Sequence, residues 1–298
     1  MGRWRVSGVE ALHFVCGIGL DAAWIHDDGE EGQGGEASRV WPWWSFSKTI
    51  IAGCALRLSQ EGALDLEAPY GGPHTLRQLL QHRAGVPCYG GLRAYHDAVA
   101  RGDTPWSRER LVREAGSELL FAPGEGWAYS NIGYMLAREA VEAAAGCDIG
   151  SLAARYYAEP LALATMRLAE VPGDFAESPG AAGYHPGWVY HRCFMGSARD
   201  AARLVGVLAL ELGGQPVHRL GGGIEGRPWS ETGYGLGVMA GAVEGAGRVV
   251  GHSGSGPFSH CAIYHFADVA RPVSVATFGT GASEAGPEWE AVRIALGG

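Results

Sequence analysis

The spacing of apolar positions changes several times along the chain, and each change predicts a different kind of element. Residues 8 to 28 alternate loosely between apolar and polar, with Phe14, Val15, Ile18, Trp24 and Ile25 among the strand-favouring types. An acidic, glycine-rich turn from Asp27 to Gly35 closes this stretch, which therefore reads as a strand pair. From Ser45 to Leu58 the period becomes helical, with Ile50 and Cys54 four apart, Ile51 and Ala55 likewise, and Gly62 as the stop. The middle of the chain reads as helices and loops. Helices are predicted over Leu76 to His82, Arg108 to Leu120, Ile132 to Ala145, Ser151 to Tyr157 and, after Ser197, Ala201 to Leu212. Strand character returns at Gly235 to Met239, Arg248 to Gly251, Cys261 to Phe266 and Val273 to Phe278, and a last helix runs from about Glu284 to Leu296.

Strands near both ends need partners, and the abundant partners are each other. The pattern thus predicts an α+β fold whose single sheet is built from both chain ends and flanked by the first and last helices. Residues 1–62 with 197–298 form the discontinuous sheet domain in this reading, and 63–196 form an inserted, mainly helical domain, with a cleft between the layers.

Composition narrows the function. With 47% hydrophobic and 18% charged residues the chain is not disordered, and a net charge of −9 without a basic stripe argues against nucleic-acid binding. No apolar run approaches the ~20 residues of a membrane span. The six cysteines stand 34 or more residues apart and form no C-x-x-C, which suits buried free thiols in a reducing compartment. Arg3 and Arg5 precede an apolar stretch broken by Glu10 and His13 without an A-x-A site, so no secretory signal is read and a cytoplasmic location is expected. The histidines form no H-E-x-x-H or H-x-H cluster, and no metal or cofactor is expected. Gly17 to Ala22 and Gly235 to Ala240 match G-x-G-x-x-A, but the first lacks room for a helix, and no P-loop or G-x-S-x-G occurs.

Of 23 basic residues 22 are arginine, and the one lysine is Lys48; asparagine also occurs once, as Asn131. Lys48 ends Ser45-Phe46-Ser47-Lys48, an S-x-x-K at a predicted helix start. One turn separates Ser45 from Lys48, so the two side chains share a face within hydrogen-bond reach. The helix start also offers main-chain N–H groups to an anion. A nucleophile, a base and an oxyanion donor thus fall within four residues. Ser47 has no lysine one turn on, and reads as orienting the site or capping the helix. Asn131 ends Tyr129-Ser130-Asn131 ahead of a predicted helix. A phenol can shuttle a proton where a cation lowers its pKa, and an amide can bind a substrate carbonyl; a helix cap is the plainer use of Asn131. His252-Ser253-Gly254-Ser255 follows a predicted strand, where Gly254 would let substrate approach and the next N–H would complete an oxyanion hole, unless the segment is a hairpin turn.

In this order, S-x-x-K, Y-S-N and H-S-G, the chain resembles the penicillin-recognising serine hydrolases, in the branch of class C β-lactamases, DD-peptidases and family VIII esterases. Leu79-Leu80-Gln81-His82-Arg83-Ala84-Gly85 is similar to the family's L-L-T-H-T-S-G, Phe121 to Tyr134 to its F-x-P-G…Y-S-N-x-G-Y, and Tyr234-Gly235-Leu236-Gly237 to its Y-G-L-G strand. The resemblance spans about residues 14 to 280. It implies a β-lactamase/transpeptidase-like fold with an antiparallel sheet, and a small ester, amide or peptide as substrate. It implies Ser45, Lys48 and Tyr129 as catalytic residues, with Ser45, Asn131, His252, Ser253, Gly254 and Ser255 around the oxyanion and substrate. The chain departs from the pattern in its short N-terminus, its compactness, and His252 where class C β-lactamases carry the lysine of K-T-G. That last change weighs against β-lactam hydrolysis. The resulting expectation is an esterase or amidase working through a Ser45 acyl-enzyme. A DD-carboxypeptidase or D-amino-acid amidase/peptidase, a β-lactamase, or a slowly hydrolysing penicillin-binding sensor are the alternatives.

Overall fold

The terminal strands do pair with each other. The computed structural model describes residues 20–181 and 183–298; the predicted strand positions Phe14, Val15 and Ile18 lie outside the described residues. The first elements are β1 (Asp21–His26), β2 (Glu31–Gly34), β3 (Trp41–Pro42) and α1 (Ser47–Gln60). The middle carries α2 (Leu76–Leu80), α3 (Arg93–Ala100), α4 (Arg108–Ala115), α5 (Asn131–Ala145), α6 (Ile149–Ala153), β4 (Arg167–Leu168) and β5 (Phe194–Gly196). The chain ends with α7 (Ala198–Leu212), β6 (His218–Gly222), β7 (Trp229–Tyr234), β8 (Met239–Val243), β9 (Gly247–Ser255), β10 (His260–Phe266), β11 (Val273–Gly279) and α8 (Ala285–Ala295). Eight strands form an antiparallel sheet in the order β2-β1-β11-β10-β9-β8-β7-β6, and β1 enters it against β11 with Asp21 opposite Phe278. None of the helices among the described residues is long and apolar enough to cross a membrane.

Period-two alternation sends successive side chains to opposite faces of this sheet. Ala23, Ile263, Ala276 and Phe278 pack into one core with Ile51, Ala55, Leu204 and Leu208 of α1 and α7. Ala22, Ala262, Tyr264 and Val275 turn the other way, onto Ala291, Val292 and Ala295 of α8. The first and last helices thus lie on opposite faces, and α1 is buried deeply enough that residues from Ser47 to Ala55 are all buried.

Several expected boundaries shift. Gly235 to Val238 is a turn between β7 and β8, closed by Gly235 N–H donating to the Val238 carbonyl at 2.8 Å. Gly237 adopts φ +72° there, and a Cβ on it would lie 2.2 Å from the Ala52 methyl of α1, so the turn requires glycine at this position. β9 runs to Ser255 instead of stopping at Gly251, so His252 to Ser255 are strand residues. α4 ends at Ala115, because Gly116 adopts φ 85°. The expectation also lacked α3 and the edge strand β6, both of them short segments.

One buried charge cluster fixes β9 from behind. Glu288 of α8 is 1% exposed and accepts from Arg227, from Trp229 Nε1 at 3.1 Å and from Tyr264 OH at 2.7 Å. Arg227 also donates to Ser253 Oγ at 3.1 Å. Removing one partner of such a cluster leaves the other charge buried and unpaired. Glu288→Leu is therefore expected to cost about 3–5 kcal/mol, read as a drop in the denaturation midpoint at unchanged m-value; a loss within 0.5 kcal/mol, roughly the range of neutral surface changes, would show that the cluster contributes nothing.

Candidate active site

Ser45 lies in a single 3-10 turn, Trp44–Phe46, that leads into α1. Trp44 adopts φ 43°, a left-handed conformation that costs a bulky residue on the order of 1–3 kcal/mol. Its side chain holds it there: the indole N–H donates to Ser259 Oγ at 2.9 Å and the ring packs edge-on against Phe258 at 5.1 Å. The result aims Ser45 at two partners, with Lys48 Nζ 3.2 Å from its Oγ and the Tyr129 hydroxyl donating to it at 2.8 Å. The three residues expected to be catalytic are thus in hydrogen-bond contact.

Lys48 is wholly buried. Desolvation pushes its amine down to about 7, because the cationic form loses water and gains no carboxylate. Its neighbours are the His191 Nε2 at 3.1 Å and the faces of Tyr129 and Tyr134 at 5.0 and 5.6 Å. His191 is held well below the usual histidine range, first by burial and then by Lys48, and stays neutral. A ring lone pair and two π faces can receive an ammonium without locking it in place. Burial pushes the Tyr129 phenol up instead of down. The expectation that a nearby cation lowers it is therefore reversed: Lys48 is the group tuned to be a base, and Tyr129 keeps its proton.

Ser130, not Asn131, caps α5, since Ser130 Oγ accepts from Gly133 N–H at 2.8 Å. That leaves the Asn131 amide uncommitted, with its Oδ1 buried and without a protein partner, beside the cavity that Ser45 also lines. Ser47 neither caps α1 nor reaches the nucleophile; its Oγ accepts from Phe194 N–H at 2.9 Å and ties β5 to the helix.

β9 extends past the end of β8, whose pairing stops with Met239 opposite Gly251. His252 to Ser255 therefore have a free edge towards the Ser45 turn. Gly256 N–H and the Arg248 carbonyl are used towards the β10 side, so by alternation the main chains of Ser253 and Ser255 face the free edge. Ser255 lines the cavity next to Ser45. The Ser253 side chain points to the opposite face, towards Arg227 and Met239, so only its main chain belongs to the cleft. Packing requires glycine at 254: a Cβ there would stand 2.8 Å from Trp44 Cβ and 2.9 Å from the Trp43 carbonyl. His252 is fixed as the Nδ1–H tautomer by donating to the Ser253 carbonyl at 2.5 Å, while its Nε2 accepts from Tyr234 OH at 3.1 Å. Burial takes it down to about 3, so it supplies no positive charge.

These contacts can be set beside known proteins. The Beta-lactamase family model matches residues 15–296. The chain belongs to the beta-lactamase family. Among solved structures it is similar to a D-stereospecific amidohydrolase from Streptomyces sp., at 24% identity and a TM-score of 0.72, covering 94% of each chain. It is likewise similar to the D-amino acid amidase from Ochrobactrum anthropi SV3, at 16% identity and a TM-score of 0.73, covering 94% of this chain and 93% of that one. Penicillin-binding protein 4* of Bacillus subtilis (strain 168) is 35% identical over 112 residues, 34% of this chain and 24% of that protein. A probable fimbrial assembly protein FimD of Dichelobacter nodosus is 32% identical over 83 residues, 28% of this chain and 20% of the relative. The matched stretches span a fifth to a quarter of these two curated relatives.

Within this family fold, His191 and Tyr234 are site residues that the motifs did not single out. Tyr234 opens the Y-G-L-G stretch, but His191 lies in a loop with no pattern around it. Two measurements test the electrostatics. With ¹³C,¹⁵N-lysine incorporated, Lys48 gives one side-chain signal, whose midpoint is expected near 7 in place of the ~10.4 of free lysine. His191→Leu removes the lone pair facing the ammonium and should move that midpoint lower still. A wild-type midpoint above 9 would remove Lys48 as the base.

Proposed function

We propose that the chain is a serine hydrolase that acts through an acyl-enzyme on Ser45, with a small ester or amide as substrate. The observation that carries this reading is the contact of Ser45 Oγ with both Lys48 and Tyr129 around an amine that burial brings to about 7. In its free-base form Lys48 accepts the Ser45 proton as the oxygen attacks the acyl carbon. The main-chain N–H groups of Ser45 and Ser255 receive the charge that develops on the carbonyl oxygen. The protonated phenol of Tyr129 gives its proton to the departing oxygen or nitrogen, and Asn131 orients the acyl group. Water then attacks the acyl carbon and gives a proton to the Tyr129 phenolate, while Ser45 leaves with the proton that Lys48 took up, so that all three groups return to their starting states.

A second reading, hydrolysis of a D-amino-acid amide, is favoured by the names of the structural neighbours, a D-stereospecific amidohydrolase and a D-amino acid amidase. At 16–24% identity those neighbours speak for the fold, so the substrate must be decided by experiment. The neutral His252 weighs against β-lactam hydrolysis, because the strand offers no cation to an anionic substrate.

A fluorophosphonate is expected to label Ser45, with fragment-ion mass spectrometry placing the adduct there and Ser45→Ala abolishing it; an adduct on Ser253 overturns the assignment. Tyr129→Phe should lower kcat by roughly 10²-fold or more, the usual scale for a general acid. A variant that keeps its full rate would make Tyr129 structural. Because Lys48 must be neutral, acylation is expected to rise with pH through about 7 and to show no second, falling limb from Tyr129 below pH 10. A panel of nitrophenyl esters, nitrocefin, D-amino-acid amides and D-alanyl peptides then ranks the substrate classes.

A further inference from the structure

Ser45 opens onto a cavity of about 470 Å³, within the ~300–1,000 Å³ usual for small-molecule sites. Its polar groups gather at one end, with Ser45, Asn131, His191 and Ser255. Most of the remaining wall is Trp44, Tyr89, Tyr95, Val99, Tyr184 and Pro257. Among the described residues no Asp, Glu, Lys or Arg lines it. The wall is also stiff. Tyr95 engages its hydroxyl with the Trp188 carbonyl at 2.9 Å, and its ring lies 4.8 Å from Tyr89 and 5.3 Å from Trp188. His96, the remaining polar side chain of the wall, has its Nε2 2.8 Å from the Gly90 carbonyl.

The groups behind the nucleophile add no fixed charge. His191 and His252 are neutral, and Arg227 is engaged by Glu288 on the far side of the sheet. A carboxylate or ammonium seated against these rings would give up part of its hydration and meet no opposite charge, which is costlier than burying a hydrocarbon there. An uncharged ester or amide loses little, because its one polar end meets the polar end of the cavity and its apolar body meets rings.

We infer that the cavity selects an uncharged substrate with an apolar, ring-sized body, and discriminates against both carboxylates and ammonium groups on that body. This rests on the serine-hydrolase reading of Ser45 and narrows it. A neutral ester or amide fits, whereas one that carries a carboxylate or an ammonium on its apolar body does not.

The test is a matched series of p-nitrophenyl 3-(4-X-phenyl)propionates at pH 8, with X as methyl, carboxylate or aminomethyl. The methyl ester is expected to exceed each charged ester by about 100-fold or more in kcat/KM. Ala100, exposed at the end of α3 on the cavity rim, gives the converse. Ala100→Arg should narrow the gap for the carboxylate ester about tenfold and widen it for the aminomethyl ester. The corresponding unreactive propionamides, titrated into Ser45→Ala by tryptophan fluorescence, should bind in the same order, methyl tightest. A carboxylate or aminomethyl compound that is turned over or bound as well as the methyl compound overturns the inference while leaving the acyl-enzyme intact. Absence of any turnover or acyl adduct in the wild type overturns the serine-hydrolase reading instead, and the binding order still decides the cavity.

Discussion

Burial of one amine organises this molecule. Lys48 sits on the first turn of α1 with none of its surface exposed, and its pKa falls from the ordinary lysine value to about 7. The sign of the linkage is fixed by that depression: between about pH 7 and 10 the unfolded chain holds a proton on Lys48 that the folded chain does not. Stability therefore rises with pH across that window. Below it the fold carries the whole penalty, on the order of 5 kcal/mol. Set against the 5–15 kcal/mol that hold a typical domain together, this is a substantial concession to the site. An apolar residue of similar volume would pack there without it. The rest of the fold has to supply enough apolar burial to tolerate the amine, and the deeply buried α1 between α5 and α7 does so.

The second constraint is how closely the nucleophile turn and β9 approach each other. Gly254 and Gly256 are the positions where the strand meets Trp43 and Trp44; a Cβ on Gly256 would stand 2.2 Å from the Trp44 ring. Trp44 in turn keeps its left-handed backbone because its indole is anchored on Ser259 and Phe258. Strained turn, small strand and aromatic anchor thus hold one another, and Ser255 N–H is brought to the same opening as Ser45. Behind the strand, Arg227, paired with Glu288, holds the Ser253 side chain where β8 no longer pairs with β9.

Much of this was legible in the chain. A solitary lysine one turn after a serine, and a solitary asparagine two after a tyrosine, pointed to the residues that the fold gathers around Ser45, because arginine cannot lose its proton and lysine can. The pairing of the terminal strands followed from their lack of other partners. What the chain hid was long-range. His191 reaches Lys48 from 143 residues away with no motif around it. The direction of the Tyr129 shift depends on burial, which periodicity does not report. The roles of Ser253 and Gly254 depend on strand register: once His252 faces the cleft, Ser253 must turn its side chain away, and the next position faces the packed Trp43–Trp44 turn.

The cleft also shows why histidine can stand where class C β-lactamases carry a lysine. A second ammonium beside Lys48 would depress the first still further by repulsion, or would need a carboxylate that then holds Lys48 charged. His252 avoids both outcomes. Its Nδ1–H is fixed on the Ser253 carbonyl and its Nε2 on Tyr234, so it fills the position with directed hydrogen bonds and no charge. His191, whose Nε2 lies 3.1 Å from the amine, is likewise neutral. A base set near neutrality by desolvation, beside a neutral His191, leaves the described residues of the cleft without a permanent charge, and the aromatic wall of the cavity extends that condition outwards from Ser45.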